Sequence, residues 1–138
     1  MTSSILAGKK SPEELRSGLF ISFSCSLFCL VFYLVYNIFS HGVHSPFMTF
    51  LFAWPLVLEV LPTGLCLMIR ALPGPSVLSS LFWNTGTALV TVSSLLRGIF
   101  DIAGNSSDQQ IYMMIAGFAF LAAGLILYAE GIRRSRSN

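Results

Sequence analysis

Charged residues are scarce in this sequence. Of its 138 residues only 10% carry a charge, whereas 54% are hydrophobic and the mean hydropathy is +0.76. Soluble domains usually contain about 25% charged residues. The shortage of charge therefore excludes an ordinary soluble domain and predicts an integral membrane protein.

Cysteine is also rare, and the common catalytic motifs are missing. The three cysteines, Cys25, Cys29 and Cys66, fall inside predicted membrane spans and lack metal-ligand spacing, so we interpret them as small packing residues. The sequence contains no nucleophile elbow, no H-E-x-x-H zinc motif and no phosphate-binding loop. We therefore expect no enzymatic activity.

Long apolar runs are what the sequence does contain. Each run is long enough to cross the hydrocarbon core, since ~20 residues at ~1.5 Å each span ~30 Å. The runs cover about 18–39, 48–71, 77–100 and 111–128. They predict an all-α membrane protein, with a four-helix transmembrane bundle over residues 18–130 and short loops. Residues 1–17 form a polar segment before the bundle, and residues 131–138 form a basic tail.

The basic residues are distributed unevenly between the two sides of this bundle. Four spans place both termini on one side, which then carries seven of the eight Lys and Arg residues. They are Lys9, Lys10, Arg16, Arg70, Arg133, Arg134 and Arg136. Because Lys and Arg are enriched in cytoplasmic loops, the pattern predicts a multi-pass protein of the plasma (inner) membrane with both termini cytoplasmic. We expect no nucleic-acid partner, since the arginine cluster of the tail serves as a topology anchor.

Glu59 lies near the middle of the second span, between Pro55 and Pro62. An ionised carboxylate at that depth costs ~2.5–3.5 kcal/mol or more if it faces lipid. The two prolines remove backbone donors and predict a kink. Glu59 is therefore expected to face other helices, either as a hydrogen-bonded packing residue or as a proton- or cation-linked acid in a transport path.

A polar stripe follows one face of the third span, with spacings of three and four residues. Its members are Asn84, Thr87, Thr91, Ser94 and Gly98. The Pro- and Gly-rich turn at 72–76 makes the second and third spans antiparallel neighbours, which predicts a hydrogen bond between Glu59 and Asn84. Arg97 and Asp101 are four residues apart and can pair. The candidate substrate or ion pathway therefore comprises Glu59, Asn84, Thr87, Thr91, Arg97 and Asp101.

Small residues mark packing faces on the first and fourth spans, because helices in lipid associate through close backbone approach. In the first span they are Ser22, Cys25, Ser26 and Cys29. In the fourth span they are Ala116, Gly117, Ala119, Ala123 and Gly124.

His41 and His44 stand three apart in the loop after the first span. On a helix they would share a face and could bind one metal ion together. They could not hold one haem from opposite sides, which leaves a haem shared between chains or held with another ligand. Alternatively, the two histidines bind no metal or haem and instead cap helices or contact lipid headgroups.

Three functional interpretations follow. The first is an accessory or structural subunit of a membrane assembly, which packs in the lipid bilayer against a second copy or a larger membrane protein. The second is a homo-oligomeric transporter or channel for a small solute or ion, built on Glu59 and the polar stripe. The third is a metal- or haem-binding redox protein using His41 and His44. The first interpretation requires no cofactor.

Overall fold

The computed structural model describes residues 8–42, 44–69, 73–105 and 108–137. Within these ranges every regular element is a helix, and the β structure is limited to an isolated antiparallel bridge between Lys9 and Ser76. The elements are α1 (Pro12–Phe39), α2 (Pro46–Thr49), α3 (Ala53–Pro55), a π-helical turn (Leu56–Val60), α4 (Leu61–Met68), α5 (Val77–Ala103) and α6 (Gln109–Ser137). Arg70 and Leu72, which entered the prediction of the second span and its turn, lie outside the described residues.

Three helices, α1, α5 and α6, are long and apolar enough to cross a membrane. The interrupted run from Ala53 to Met68 is also apolar but shorter. The prediction of an all-helical protein with membrane-compatible helices is therefore confirmed.

The helix α1 begins with a capping box. Ser11 Oγ accepts from the backbone N–H of Glu14 at 3.3 Å, and Glu14 Oε2 accepts from the backbone N–H of Ser11 at 2.8 Å. These bonds satisfy backbone donors that a helix N-terminus otherwise leaves free. At the same end, Lys9 Nζ donates to Ser135 Oγ at 3.3 Å. The start of α1 and the end of α6 therefore lie side by side.

The distribution of residue types is the reverse of that in a soluble protein. Large apolar side chains point outward, with Phe20 70% and Ile38 75% exposed. Small and polar side chains are buried instead: Ser22, Ser26, Ser79, Ser80, Thr87, Ser93 and Ser94. Such an exterior is suited to lipid, and the small interior residues allow the helices to approach closely.

The closest helix contact joins α5 to α6 through glycines. A Cβ added to Gly86 would meet the Gly117 carbonyl oxygen and the Leu121 N–H nitrogen, both at 2.8 Å. A Cβ on Gly124 would meet the Trp83 nitrogen at 3.0 Å. Ser79 Oγ adds a hydrogen bond across this contact, donating to the Gly124 carbonyl at 2.8 Å. Gly117 and Gly124 thus belong to the packing face predicted for the fourth span, whereas Ala119 is exposed.

Candidate functional site

A cavity of about 170 Å³ lies among α1, α4, α5 and α6. Lys10 and Glu14 line it at the end of the bundle where the start of α1 lies beside the end of α6. Ser22, Glu59, Trp83 and Asn84 line it deeper inside the bundle. Ser22 lies ~6 Å along α1 from Gly18, where the first predicted span begins, at ~1.5 Å per residue, so the cavity continues past the start of that span.

Glu59 lies on the π-helical turn, and its half-buried side chain enters this cavity. Ser22 Oγ donates a short hydrogen bond to Glu59 Oε2. The sequence predicted Asn84 as the partner of this carboxylate, and the structure gives Ser22 in its place. Asn84 nevertheless lines the same cavity.

The π-helical turn shifts the backbone register just before Pro62. The N–H of Leu61 bonds to the Leu56 carbonyl, five residues back. Pro62 has no N–H, so the Leu58 carbonyl loses the donor that an α-helix would supply. Trp83 Nε1 donates to this carbonyl at 2.6 Å. The indole N–H of Trp83 thereby replaces the missing backbone donor. This bond holds the indole at Leu58, the residue that precedes Glu59.

Two further backbone carbonyls, in the segment from Pro46 to Met68, accept hydrogen bonds from side chains. The N–H of Leu56 bonds to Ala53, three residues back, and Ser26 Oγ donates to the Phe52 carbonyl at 2.9 Å. Ser94 Oγ donates to the Phe47 carbonyl at 3.1 Å. Backbone polar groups at membrane depth require such internal partners, because lipid supplies none.

The half of the bundle beyond Glu59 is filled by packed side chains. Leu51 is 1% and Val90 0% exposed, and Cys29, Met48 and Leu51 form a buried apolar cluster. Trp54 Nε1 donates to Ser94 Oγ at 3.1 Å within this region. The cavity therefore lies in the half of the bundle that contains the start of α1 and the end of α6, and Glu59 lies at its inner end.

The charges of the cavity wall are unequal along its length. Lys10 and Glu14, which carry opposite charges, line the part of the cavity nearest the start of α1. Glu59 is the ionisable carboxylate at the inner end. Tyr128 and Cys66 line the wall between these levels, and the Tyr128 hydroxyl donates to the Pro73 carbonyl at 3.1 Å. The inner end therefore offers one carboxyl group on a wall that is largely apolar.

The remaining members of the predicted pathway do not join this site. Thr87 Oγ1 donates to the Trp83 carbonyl at 3.1 Å, and Thr91 Oγ1 donates to the Thr87 carbonyl at 2.8 Å. Both hydroxyls therefore return to the backbone of their own helix, as threonines often do. They contribute packing to α5 and do not line the cavity.

Arg97 and Asp101 lie at the opposite end of α5 from the cavity mouth. Arg97 Cζ lies 4.4 Å from the centroid of the Phe47 ring, a cation–π contact. Asp101 Oδ2 accepts from Ser45 Oγ at 2.8 Å. The expected Arg97–Asp101 pair is replaced by these two contacts, which hold α5 against the segment that begins α2.

The histidines lie at the same end. His41 has a φ of 52° in a turn, and its Nδ1 lies 2.7 Å from the Phe39 carbonyl oxygen. Because α2 begins only at Pro46, His41 and His44 do not share the helical face on which a common metal ion was considered. Among the described residues, no group of three or more His, Cys, Asp or Glu side chains is arranged to hold a metal ion.

The structure adds two site residues that sequence reasoning missed. Ser22 was placed on the packing face of the first span, but its position opposite Glu59 was not foreseen. Trp83 was passed over, although Pro62 signals that the Leu58 carbonyl needs a donor from elsewhere.

The sequence matches no protein-family model, and comparison with curated proteins and with solved structures gave no match either. The geometry of the cavity is therefore the basis for its functional interpretation.

Proposed function

We propose that the chain crosses the plasma (inner) membrane four times, with both termini in the cytoplasm. The contact between Lys9 and Ser135 supports an even number of crossings, because it brings the start of α1 and the end of α6 to the same end of the bundle. The interrupted segment from Pro46 to Met68 supplies the fourth crossing. Its carbonyls receive donors from α1 and α5, which offsets the cost of an irregular backbone in lipid. The excess of Lys and Arg near the termini supports a cytoplasmic location for that end.

We propose further that this protein binds a small cation at Glu59 and transports it. The observation that carries the proposal is the Glu59 carboxylate at the inner end of a 170 Å³ cavity that begins beside Lys10 and Glu14. Intramembrane carboxylates that face a cavity mark ion and proton pathways. Because the bundle beyond Glu59 is packed, the described conformation corresponds to one that is open toward the cytoplasm.

The interrupted segment supports movement of the site. A π-helical turn inside an α-helix and paired prolines are common where helices bend for function. Discontinuous helices near the midplane also form the binding sites of many transporters. Rearrangement of the side-chain bonds to the Phe52 and Leu58 carbonyls would allow Glu59 to face the other side.

The accessory-subunit interpretation stays a prediction, and it differs in its consequences. If Glu59 only packs, Glu59→Gln retains the bond to Ser22 and Glu59→Leu loses it, so the only effect is on stability. A transport role instead requires the titratable carboxylate, so Glu59→Gln abolishes cation-coupled proton movement while the fold persists.

Full-length protein in proteoliposomes tests this proposal. The vesicles contain a pH-sensitive dye and an acidic interior, and chloride salts of sodium, potassium, guanidinium or tetramethylammonium are added outside. Exchange of an entering cation for a leaving proton raises the internal pH. We expect a rise for at least one salt with the native protein, none with Glu59→Gln, and a native response with Glu130→Gln, an exposed acid in α6. Equal responses of the native protein and Glu59→Gln would exclude the role of Glu59, and no response to any salt would contradict transport.

A further inference from the structure

We propose that the Glu59 cavity selects a compact organic ammonium ion with an apolar body over an inorganic cation. This inference rests on the proposed cation site and specifies the chemical class of its ligand. It follows from the number of charged groups at the inner end, from the chemistry of the walls and from the volume.

An inorganic divalent ion finds too few ligands here. Ca²⁺ takes six to eight oxygen ligands, and Mg²⁺ requires near-octahedral oxygen coordination. Glu59 is a single carboxylate, and one of its oxygens already accepts from Ser22. No metal-binding group of three His, Cys, Asp or Glu side chains is present in the described part of the chain. The other oxygen-bearing side chains near Glu59 are hydroxyls and one amide, so a divalent ion would gain a single carboxylate in exchange for its water.

Two aromatic side chains, Trp83 and Tyr128, line the cavity, and their polar atoms are bonded within the protein. The Trp83 N–H donates to the Leu58 carbonyl, and the Tyr128 hydroxyl donates to the Pro73 carbonyl. Leu15, Pro62 and Leu125 add apolar surface to the same walls. Ammonium groups with alkyl substituents bind favourably against aromatic faces, with Trp the strongest. One carboxylate beside fixed aromatic rings matches one positive charge inside an apolar shell.

The volume fits a ligand of this class. An apolar protein cavity of about 150 Å³ holds benzene, so about 170 Å³ holds a compact organic cation of similar bulk. The opposite charges of Lys10 and Glu14 at the mouth add no net barrier to a cation entering from that side.

The native cysteines provide a direct assay. Cys66 lines the cavity, whereas Cys25 is exposed on the outer face of α1 and Cys29 is buried. Replacing Cys25 and Cys29 by Ser leaves Cys66 as the reporter in the full-length protein. Its labelling by a charged methanethiosulfonate is then measured with and without tetramethylammonium, sodium, potassium, magnesium or calcium chloride at equal ionic strength. At about ten times its Kd, a ligand that fills the cavity slows labelling roughly tenfold, because only the empty fraction reacts.

We expect tetramethylammonium to protect Cys66 and the inorganic salts to leave its labelling rate unchanged. Glu59→Gln should lose this protection, and Glu130→Gln should keep it. If an inorganic cation protects in a Glu59-dependent manner and tetramethylammonium does not, the organic-ligand inference is wrong and the cation site stands. If no cation protects, or if Cys66 does not react at all, the cation site itself is wrong.

A matched pair of variants tests the aromatic wall. Trp83→Phe and Trp83→Leu both remove the N–H that bonds to Leu58, but only Phe keeps a ring. We expect tetramethylammonium to bind the Leu variant on the order of tenfold more weakly than the Phe variant, as a lost cation–π contact requires. Equal affinities of the two variants would show that the ring takes no part in binding.

Discussion

Single hydroxyl and indole groups hold the irregular part of this protein in place. Ser26 and Trp83 each donate to a backbone carbonyl that the interrupted segment leaves without its usual helical donor. Ser22 gives the Glu59 carboxylate its hydrogen bond. In the proposed four-span topology these donors replace the water that lipid does not supply. Small polar residues of α1 therefore have structural roles that their size alone does not indicate.

Replacing Ser26 by Ala should destabilise the protein. The variant leaves the Phe52 carbonyl buried without its donor, which costs about 1–3 kcal/mol of unfolding free energy. Ser24→Ala is the matched control, since Ser24 lies on the exposed face of the same helix. Equilibrium unfolding in mixed detergent micelles measures both variants. Equal stabilities would mean that the Ser26 bond contributes nothing.

The segment from Pro46 to Met68 is the element in which local sequence and tertiary structure depend most closely on each other. Pro62 removes a donor, and α5 returns one through Trp83. The π-helical turn that results carries Glu59. The irregular helix and the candidate site therefore both depend on the π-helical turn that precedes Pro62.

A double-mutant cycle tests this relation between Pro62 and Trp83. Pro62→Ala restores an N–H that can bond to the Leu58 carbonyl, so Trp83→Phe should cost less stability in that background than in the native protein. Interacting residues give coupling energies of about 0.5–3 kcal/mol. Chemical unfolding of the four proteins in micelles provides the values. Strict additivity would show that Trp83 does not substitute for the missing backbone donor.

The contact between α5 and α6 depends on the absence of side chains. Gly86→Ala places a Cβ 2.8 Å from backbone atoms of Gly117 and Leu121, which cannot move without separating the helices. Overpacking of this kind costs about 1–3 kcal/mol. Gly131→Ala in α6 meets no atom within 4 Å, so it should be neutral or stabilising by up to about 1 kcal/mol. Thermal unfolding followed by circular dichroism would compare the two, and a Gly86→Ala protein as stable as Gly131→Ala would contradict the tight contact.

At the scale of the whole molecule, the chain has two possible topologies, which differ in whether the segment from Pro46 to Met68 crosses the membrane. If the segment from Pro46 to Met68 crosses the membrane, residues near Gly104 lie outside and the C-terminus lies inside. If it does not cross, α5 and α6 each run in the opposite direction and both positions exchange sides. That second path would put the start of α1 and the end of α6 on opposite sides, although Lys9 contacts Ser135 in the structure.

Reporter fusions in a bacterial host distinguish these paths. We expect alkaline phosphatase to be active when fused after Gly42 or Gly104 and inactive after Gly74. Green fluorescent protein fused to the C-terminus should fluoresce. An inactive fusion after Gly104 together with a dark C-terminal fusion would establish three crossings and refute the four-span topology.

The sequence by itself determined the properties that are local to the chain. Hydropathy and the scarcity of charge established the helical, membrane-compatible class. The intramembrane acid and its flanking prolines were also visible directly. These features depend on composition and near-neighbour spacing, which the chain carries wherever it packs.

Only the tertiary structure decided which groups meet. The polar stripe of the third span predicted one continuous pathway, but the structure places Asn84 on the cavity and sends Arg97 and Asp101 to partners at the other end. It also pairs Ser22 with Glu59 and Trp83 with the Leu58 carbonyl through hydrogen bonds. Periodicity identifies a face of a helix, but it does not define the helix's rotation or the neighbour it faces. Those depend on close approaches such as Gly86 against Gly117, which arise between residues far apart in the sequence.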